Sequence, residues 1–414
     1  MAAQSFRWLI RLSVTVGFLI LIVFCFLPSV DFLGDSPWHN MPKRLSHTDH
    51  TFYFKKPFKD AHEVTRACLE CHEKEACEVM QTAHWKWEGD KTKVPGFPKE
   101  ITIGKKNVIN NFCIGISSNW PRCTSCHVGY GWKDETFDFT EKENIDCLVC
   151  HDQTGTYLKD PAGAGYPRED VNLLLVAQKV GIPRRNNCGN CHFDGGGGNA
   201  VKHGDLDESL FNPSARIDIH MGKHDFSCQD CHRTKDHNIP GRSISVSVDN
   251  SNRVLCTDCH NEKPHTDERI DAHAKTLACQ TCHIPEIALK HPTKLSWDWS
   301  TAGEDREEDP HVYMKKKGSF VYAKNIKPAY AWYNGKSDHY IVGEKIDPAE
   351  ISYLSKPLGD IDDEKAKIWP FKLHSGKQIY DKKHNYFLVP KTFGEGGYWT
   401  EFDWNKAVEL GSEK

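Results

Sequence analysis

Seven times between Cys68 and His283, two cysteines stand three residues apart with a histidine directly after the second. The strings are CLECH (Cys68, Cys71, His72), CTSCH (Cys123, Cys126, His127), CLVCH (Cys147, Cys150, His151), CGNCH (Cys188, Cys191, His192), CQDCH (Cys228, Cys231, His232), CTDCH (Cys256, Cys259, His260) and CQTCH (Cys279, Cys282, His283). Two thiols at this spacing hold a haem through thioether bonds, and the following histidine is placed to ligate its iron. CxxC pairs also build four-cysteine zinc sites, and a single pair can work as a redox dithiol. The histidines exclude both. With 23 histidines in 414 residues, a random position is histidine about one time in eighteen, so seven in succession is a coincidence of order 10⁻⁸ to 10⁻⁹. Seven pairs also fail to divide into four-cysteine sites. The expected cofactor is haem c, covalently attached seven times.

This cofactor load explains the composition. Only 38% of the residues are hydrophobic, which is thin for a conventional core in a chain of this length. Seven apolar macrocycles can serve as the core around which short segments wrap. The expected fold is therefore mainly α with much irregular coil and little β, with the haems forming the core. The net charge of −4 gives no sign of nucleic-acid binding.

Of 17 cysteines, 14 belong to the seven strings, leaving Cys25, Cys77 and Cys113. Haem attachment of this type takes place outside the cytoplasm, so in a bacterium the chain is exported. Arg7 and Arg11 precede residues 12–30, which carry no charge until Asp31. That run exceeds a signal-peptide apolar region and approaches the ~20 residues that span a bilayer. No small-x-small cleavage pattern follows it. The arginines hold that end in the cytoplasm, so the bulk of the chain faces the periplasm. The expectation is a single-pass inner-membrane anchor over residues 1–34; the alternative is a soluble periplasmic protein after cleavage. Residues 35–58 read as a linker, 59–290 as the multihaem region and 291–414 as an aromatic-rich covering segment.

The connecting elements are short. Asp60 and Glu63 resemble a capping box opening a helix into CLECH. VNLLLVAQKVGIP reads as a helix with Asp170 near its N-cap and a stop at Gly181 and Pro183. RSISVSVDNSNRVLC alternates around a turn signal and reads as a small hairpin. Gly195–Gly198, just after CGNCH, give a backbone able to lie close against a macrocycle or ligand.

Each iron needs a sixth ligand or a vacancy, and 16 histidines lie outside the strings. His84, His203, His220, His224, His237, His265 and His273 are the candidates in the haem region, with His47, His50 and His62 nearer the amino terminus. A haem held by two histidines is a closed electron carrier; substrate chemistry needs a sixth position that is open or weakly held.

GKKNVINNFC, SSNWPRCTSCHVGYGWKD, DCLVCHDQTGTY, CGNCHFDGGGG with AVKHGDLD, HNIPGR, ACQTCHIPE and PTKLSWDWSTAG, in this order, closely resemble the octahaem tetrathionate reductase family of multihaem cytochromes c. The resemblance implies that the haem on CTSCH is the active one and that its distal ligand is a lysine, here Lys202. It also implies a pocket lined by Asn110 and Cys113, with an acidic residue, Asp218, and a further lysine, Lys290 or Lys294, nearby. A neutral amine is a weaker, more pH-sensitive ligand than imidazole, because lysine must first lose its proton. Cys113 has two other readings, a small buried hydrophobe or a disulfide partner of Cys77. The family carries eight haems, and this chain shows seven strings. By the resemblance an eighth is expected beyond the aromatic-rich end.

The function expected is a periplasm-facing reductase that passes electrons to a lysine-ligated haem, where tetrathionate, nitrite or hydroxylamine is reduced. Its partners are a small anionic substrate, a quinol-linked or cytochrome electron donor, and the membrane through the amino-terminal helix. The competing function is a non-catalytic conduit from the quinone pool to a partner.

Overall fold

The computed structural model describes residues 49–89, 91–93, 98–109, 115–247 and 252–412. The expected anchor and most of the linker lie outside these residues, as do Asn110 and Cys113. No helix among the described residues is long and apolar enough to cross a membrane.

Helices are short, none exceeding nine residues among those described, and most are one or two turns. They are α1 (Ala61–Leu69), α2 (Glu73–Val79), α3 (Ala83–Lys86), α4 (Trp120–Cys123), α5 (Leu148–His151), α6 (Leu173–Gln178), α7 (Arg185–His192), α8 (Ile219–Lys223), α9 (Cys228–Cys231), α10 (Glu268–His273), α11 (Cys279–His283), α12 (Tyr398–Glu401) and α13 (Trp404–Ser412). Asp60 caps α1 by accepting from Glu63 N at 2.8 Å, and the Glu63 carboxylate reaches back to Lys59 N rather than to the cap's own amide. In α6 the cap is Asn172, which accepts from Leu175 N at 3.0 Å, while the expected Asp170 pairs with Arg168. A cap must lie immediately before the first turn, and Asp170 is two residues too early. The expected hairpin over residues 242–256 is absent among its described residues. Ser243–Val246 instead closes a turn, because Ser243 and Ser245 bond to one another locally.

Strand is confined to short pieces, as expected of a chain with little β. β1 (Lys91–Thr92) pairs with β2 (Ile101–Thr102), and among the described residues all other strands lie in 293–377. There β3 (Thr293–Asp298) runs antiparallel to β5 (Gly318–Ala323), flanked by β4 (Tyr313–Met314) and by β10 (Ser375–Lys377), which joins β3 in parallel. Two antiparallel pairs complete the segment: β6 (Ala329–Tyr333) with β9 (Lys367–Phe371), and β7 (Ser337–His339) with β8 (Ser355–Pro357).

This carboxy-terminal segment is bound to the haem region by hydrogen bonds to one side-chain and one backbone acceptor. Asn119 Oδ1 accepts from Thr392 N and Oγ1 at 2.9 and 2.7 Å, and Thr293 Oγ1 donates to Ala200 O at 2.6 Å. The two regions also share one apolar cluster, where Ile109 and Val201 pack with Trp297, Trp299, Phe320, Tyr340 and Val389. Large rings rather than aliphatic residues fill that space.

The polar centre of the haem region is Asp146, which is 2% exposed. Tyr130 OH (3.0 Å), Tyr157 OH (2.9 Å), Val149 N (3.0 Å) and Lys159 Nζ (3.0 Å) all donate to its carboxylate. Lys159 Nζ donates in addition to the carbonyl of His127. A buried carboxylate saturated in this way fixes four segments at once. Asp146→Asn leaves Lys159 buried without its counter-charge and is expected to cost about 3–5 kcal/mol of stability, read by denaturant unfolding. Lys159→Met should cost a comparable amount and the double variant well short of the sum; a loss below about 1 kcal/mol for Asp146→Asn would remove this node from the account.

Candidate functional site

Each of the seven strings folds as a helical turn. His72, His151, His232 and His260 each donate their backbone N–H to the carbonyl of the first cysteine in their own string, at 2.8–3.1 Å. His192 and His283 end α7 and α11, and His127 follows a single 3₁₀ turn over Thr124–Cys126. In a helical turn residues i, i+3 and i+4 share one face. Both cysteines and the histidine of each string therefore look the same way, as covalent attachment and ligation together require.

The histidine rings meet in pairs. His50 and His72 lie 6.4 Å apart between ring centres, His151 and His237 6.3 Å, His192 and His84 6.1 Å, His260 and His220 6.0 Å, and His283 and His265 6.2 Å. Two imidazole nitrogens each about 2 Å from one metal, with about 1 Å more to each ring centre, give a separation of roughly 6 Å. The residues present thus fit haem iron at five of the seven strings. The nitrogen turned away from that space is also anchored where its partner is visible. His151 Nδ1 lies 2.8 Å from Gly181 O, while His237 Nδ1 and His265 Nδ1 each lie 2.9 Å from a carboxylate, Glu78 and Asp271; outside the pairs, His232 Nδ1 lies 2.7 Å from Pro240 O. Such outer partners fix the tautomer and orient the ligating nitrogen.

The expected distal ligands divide accordingly. His84, His220, His237 and His265 stand opposite string histidines, and so does His50 from the linker, which Gln178 O holds through the His50 amide at 3.1 Å. His273 ends α10 and has no ring contact with a string histidine among the described residues; α10 contributes through Asp271 instead. Asp218 is a capping residue. It caps α8 by accepting from Met221 N at 2.8 Å, and so starts the turn that carries His220. His203 is half-buried beside Lys202 and Lys372, and desolvation pushes its imidazole down to about 3; it too has no ring contact with a string histidine among the described residues. Glu78, Asp271, Asp146, Lys159 and Lys372 were not legible as site residues, since each acts through a fold-dependent contact.

The strings form a continuous path. The thiols of Cys68 and Cys147, Cys126 and Cys191, Cys188 and Cys228, and Cys256 and Cys279 interact directly. Cys150 lies within electrostatic reach of Cys188 and Cys191, and Cys231 of Cys259. The spatial order is first, third, fourth, fifth, sixth, seventh, with the second string branching from the fourth.

That branch differs from the others. His127 is fully buried, and Trp85, Trp87, Trp132, Phe137 and Phe139 surround its ring at 4.8–6.1 Å. Its Nε2 lies 2.7 Å from Trp85 O and its Nδ1 is buried with no hydrogen-bond partner, the reverse of His151, His232, His237 and His265, where Nδ1 is the anchored nitrogen. Burial pushes this imidazole down to about 3 against the opposing pull of the Trp85 carbonyl. The single turn of α3 serves two strings at once, His84 facing His192 while the next carbonyl holds His127.

Lys202 follows the glycine run. Gly196 and Gly197 take positive φ of 86° and 97°, which only glycine adopts without strain, and the bend returns the chain to Phe193 O through Ala200 N. Lys372 Nζ donates to the carbonyls of Val201 and Lys202 at 2.9 and 3.1 Å, clamping the stretch that presents the Lys202 side chain. Burial, then the neighbouring Lys105, lowers the Lys202 amine to about 8. Lys105 also acts on Cys123, Cys126 and His127, so it lies within electrostatic reach of both Lys202 and the second string. Beyond Val201, a cavity of about 280 Å³ is lined by Gly197–Asn199 on one wall and Lys294 and Lys317 on another. Lys294 Nζ lies 4.0 Å over Trp297 and 3.8 Å over Phe320, and burial lowers it to about 7. Lys290, the alternative to Lys294, is exposed.

Comparison with known proteins agrees with this geometry. Residues 294–414 match the family described as "Cytochrome c bacterial", and residues 214–284 match "Cytochrome c7 and related cytochrome c". An uncharacterized protein of Archaeoglobus fulgidus is 24% identical over 279 residues, which is 55% of this chain and 93% of that one. The crystal structure of octaheme cytochrome c from Shewanella oneidensis superimposes with a TM-score of 0.83 at 53% identity, covering 88% of this chain and 83% of that one. With heme-attachment strings, paired ligands and this likeness in agreement, the chain belongs to the multihaem cytochrome c family.

Proposed function

We propose that this multihaem cytochrome c is an extracytoplasmic reductase in which Lys202, opposite His127, marks the reactive position and tetrathionate is the substrate, with nitrite or hydroxylamine as alternatives. The observation that carries the reading is the setting of the second string: His127, like His232 of the fifth string, meets no second imidazole among the described residues, but His127 alone of the two is fully buried, and Lys105 reaches both it and the half-buried Lys202, which also acts on His192 of the neighbouring fourth string. When bound, haem supplies an iron that exchanges single electrons and, where its sixth ligand is weak, can accept a small reducible molecule. His127 holds the proximal side, and the aromatic wall around it excludes water. Lys202 offers an amine that burial, lowering it to about 8, lets lose its proton more readily than an exposed lysine, a weak and displaceable ligand. Tetrathionate is a dianion whose central S–S bond is broken by two electrons to give two thiosulfates, so the position must attract negative charge and needs no proton. Lys105, Lys294 and Lys317 supply that attraction. Asn110 and Cys113 are assigned to the same pocket by resemblance.

The count of seven haems, a quinol-linked or cytochrome donor and a retained anchor over residues 12–30 belong to the same proposal. The five histidine pairs and the continuous path of strings favour a second reading, a conduit with no reactive iron. Cyanide or nitrite binding to the resting protein distinguishes them: one responsive haem supports the reductase, and a spectrum inert to both supports the conduit.

Lys202→His should give a protein that still takes up electrons but loses most of its turnover, roughly a hundredfold or more, as removal of a group acting at the reactive position does. Lys202→Ala should open that position to cyanide while leaving the other haems unchanged. Unaltered spectra and rates in both variants would dismiss Lys202 from the site. Intact mass of the purified protein should show seven covalent haems on a chain that retains residues 12–30 and fractionates with membranes; six or eight haems, or a mature start after Val30, would refute the corresponding part.

A further inference from the structure

The acceptors that hold the ligand histidines differ in charge. His151 and His232 rest on backbone carbonyls, whereas His237 lies 2.9 Å from Glu78 Oε2 and His265 lies 2.9 Å from Asp271 Oδ1. Both carboxylates are largely covered, with side chains 18% and 11% exposed, so water screens them little. Asp271 is held rigidly, its Oδ1 also accepting from His265 N at 3.1 Å. Glu78 is held by α2 and shares its other oxygen with the exposed Lys74 at 3.0 Å.

A carbonyl offers a dipole, but a carboxylate carries a full charge and draws the Nδ1 proton toward itself. The imidazole then donates more strongly through its other nitrogen, which stabilises the ferric state over the ferrous one. The surroundings of His127 have the opposite sign. Its acceptor is the neutral Trp85 carbonyl, Lys159 is matched by Asp146, and Lys105 is left as the local excess. In the spatial order of the strings, the third and seventh lie on the two arms that meet at the fourth, from which the second branches.

We infer that Glu78 and Asp271 are redox-tuning residues, which hold the haems of the third and seventh strings at low potential so that electrons run downhill along both arms to the second string. The role of the two carboxylates is independent of which molecule is reduced there, and Lys202 takes no part in its test.

The experiment is a potentiometric titration of the haem-loaded full chain without substrate, followed by optical and electron paramagnetic resonance spectra, for Glu78→Gln and Asp271→Asn separately. Each isosteric amide keeps a hydrogen-bond acceptor but removes the charge. Each variant should move one of the lowest couples upward by a tenfold change in its oxidised-to-reduced ratio or more, which is about 59 mV for one electron. All low-spin signals should persist, and Glu78→Asp should restore most of the shift. Titrations that superimpose on the unsubstituted protein would overturn the inference. So would the appearance of a high-spin haem, because the carboxylate would then only position its histidine.

Discussion

One geometric constraint governs this structure: a helical turn that fixes two cysteines and a histidine on one face commits the chain to bring a second donor to the opposite side of the same iron, with ring centres about 6 Å apart. Five times it does so with histidine, from loops and single turns far away in sequence. His50 reaches His72 from the linker, and His237 reaches His151 from a turn in which Asp236 and His237 both take positive φ, of 49° and 58°. Backbone of that kind is strained for non-glycine residues and persists where the surroundings over-determine it. The low helix and strand content follows from the same constraint, since each segment needs only enough regular structure to hold one ligand.

At the second string the same constraint is met differently. Everything that positions His127 is buried and neutral or cationic: the Trp85 carbonyl, the aromatic wall and the Lys159–Asp146 pair beneath its backbone. Everything that positions Lys202 belongs to other parts of the chain: the glycine bend after α7, and Lys372 and Thr293 from the carboxy-terminal segment. That segment therefore does more than cover the haem region. It clamps residues 200–202, and loss of the clamp would free Lys202 without touching a single haem-binding residue.

The proximal half of each site was legible in the sequence because attachment requires a fixed local spacing. Asp60 was legible for the same reason, since capping is also local. Histidine type is a good guide to the distal half at His84, His220, His237 and His265 but also points to His273, and Asp218, assigned to the pocket by resemblance, caps α8 and starts the turn that carries His220. The reason is physical. Whether a histidine faces an iron depends on how distant segments pack, and Asp271 rather than His273 turns inward because α10 rotates it toward His265. Lys372, Asp146 and Glu78 carried no local signal at all, being ordinary charged residues until the fold buries them.

The central claim is that His127 and Lys202 face one iron, and iron anomalous diffraction from crystals of the haem-loaded protein tests it most directly. The account predicts an anomalous peak between one ring nitrogen of His127 and the Nζ of Lys202, alongside peaks inside the five histidine pairs. A peak bounded by His127 and an imidazole, His203 or any other, with Lys202 turned away, would contradict it.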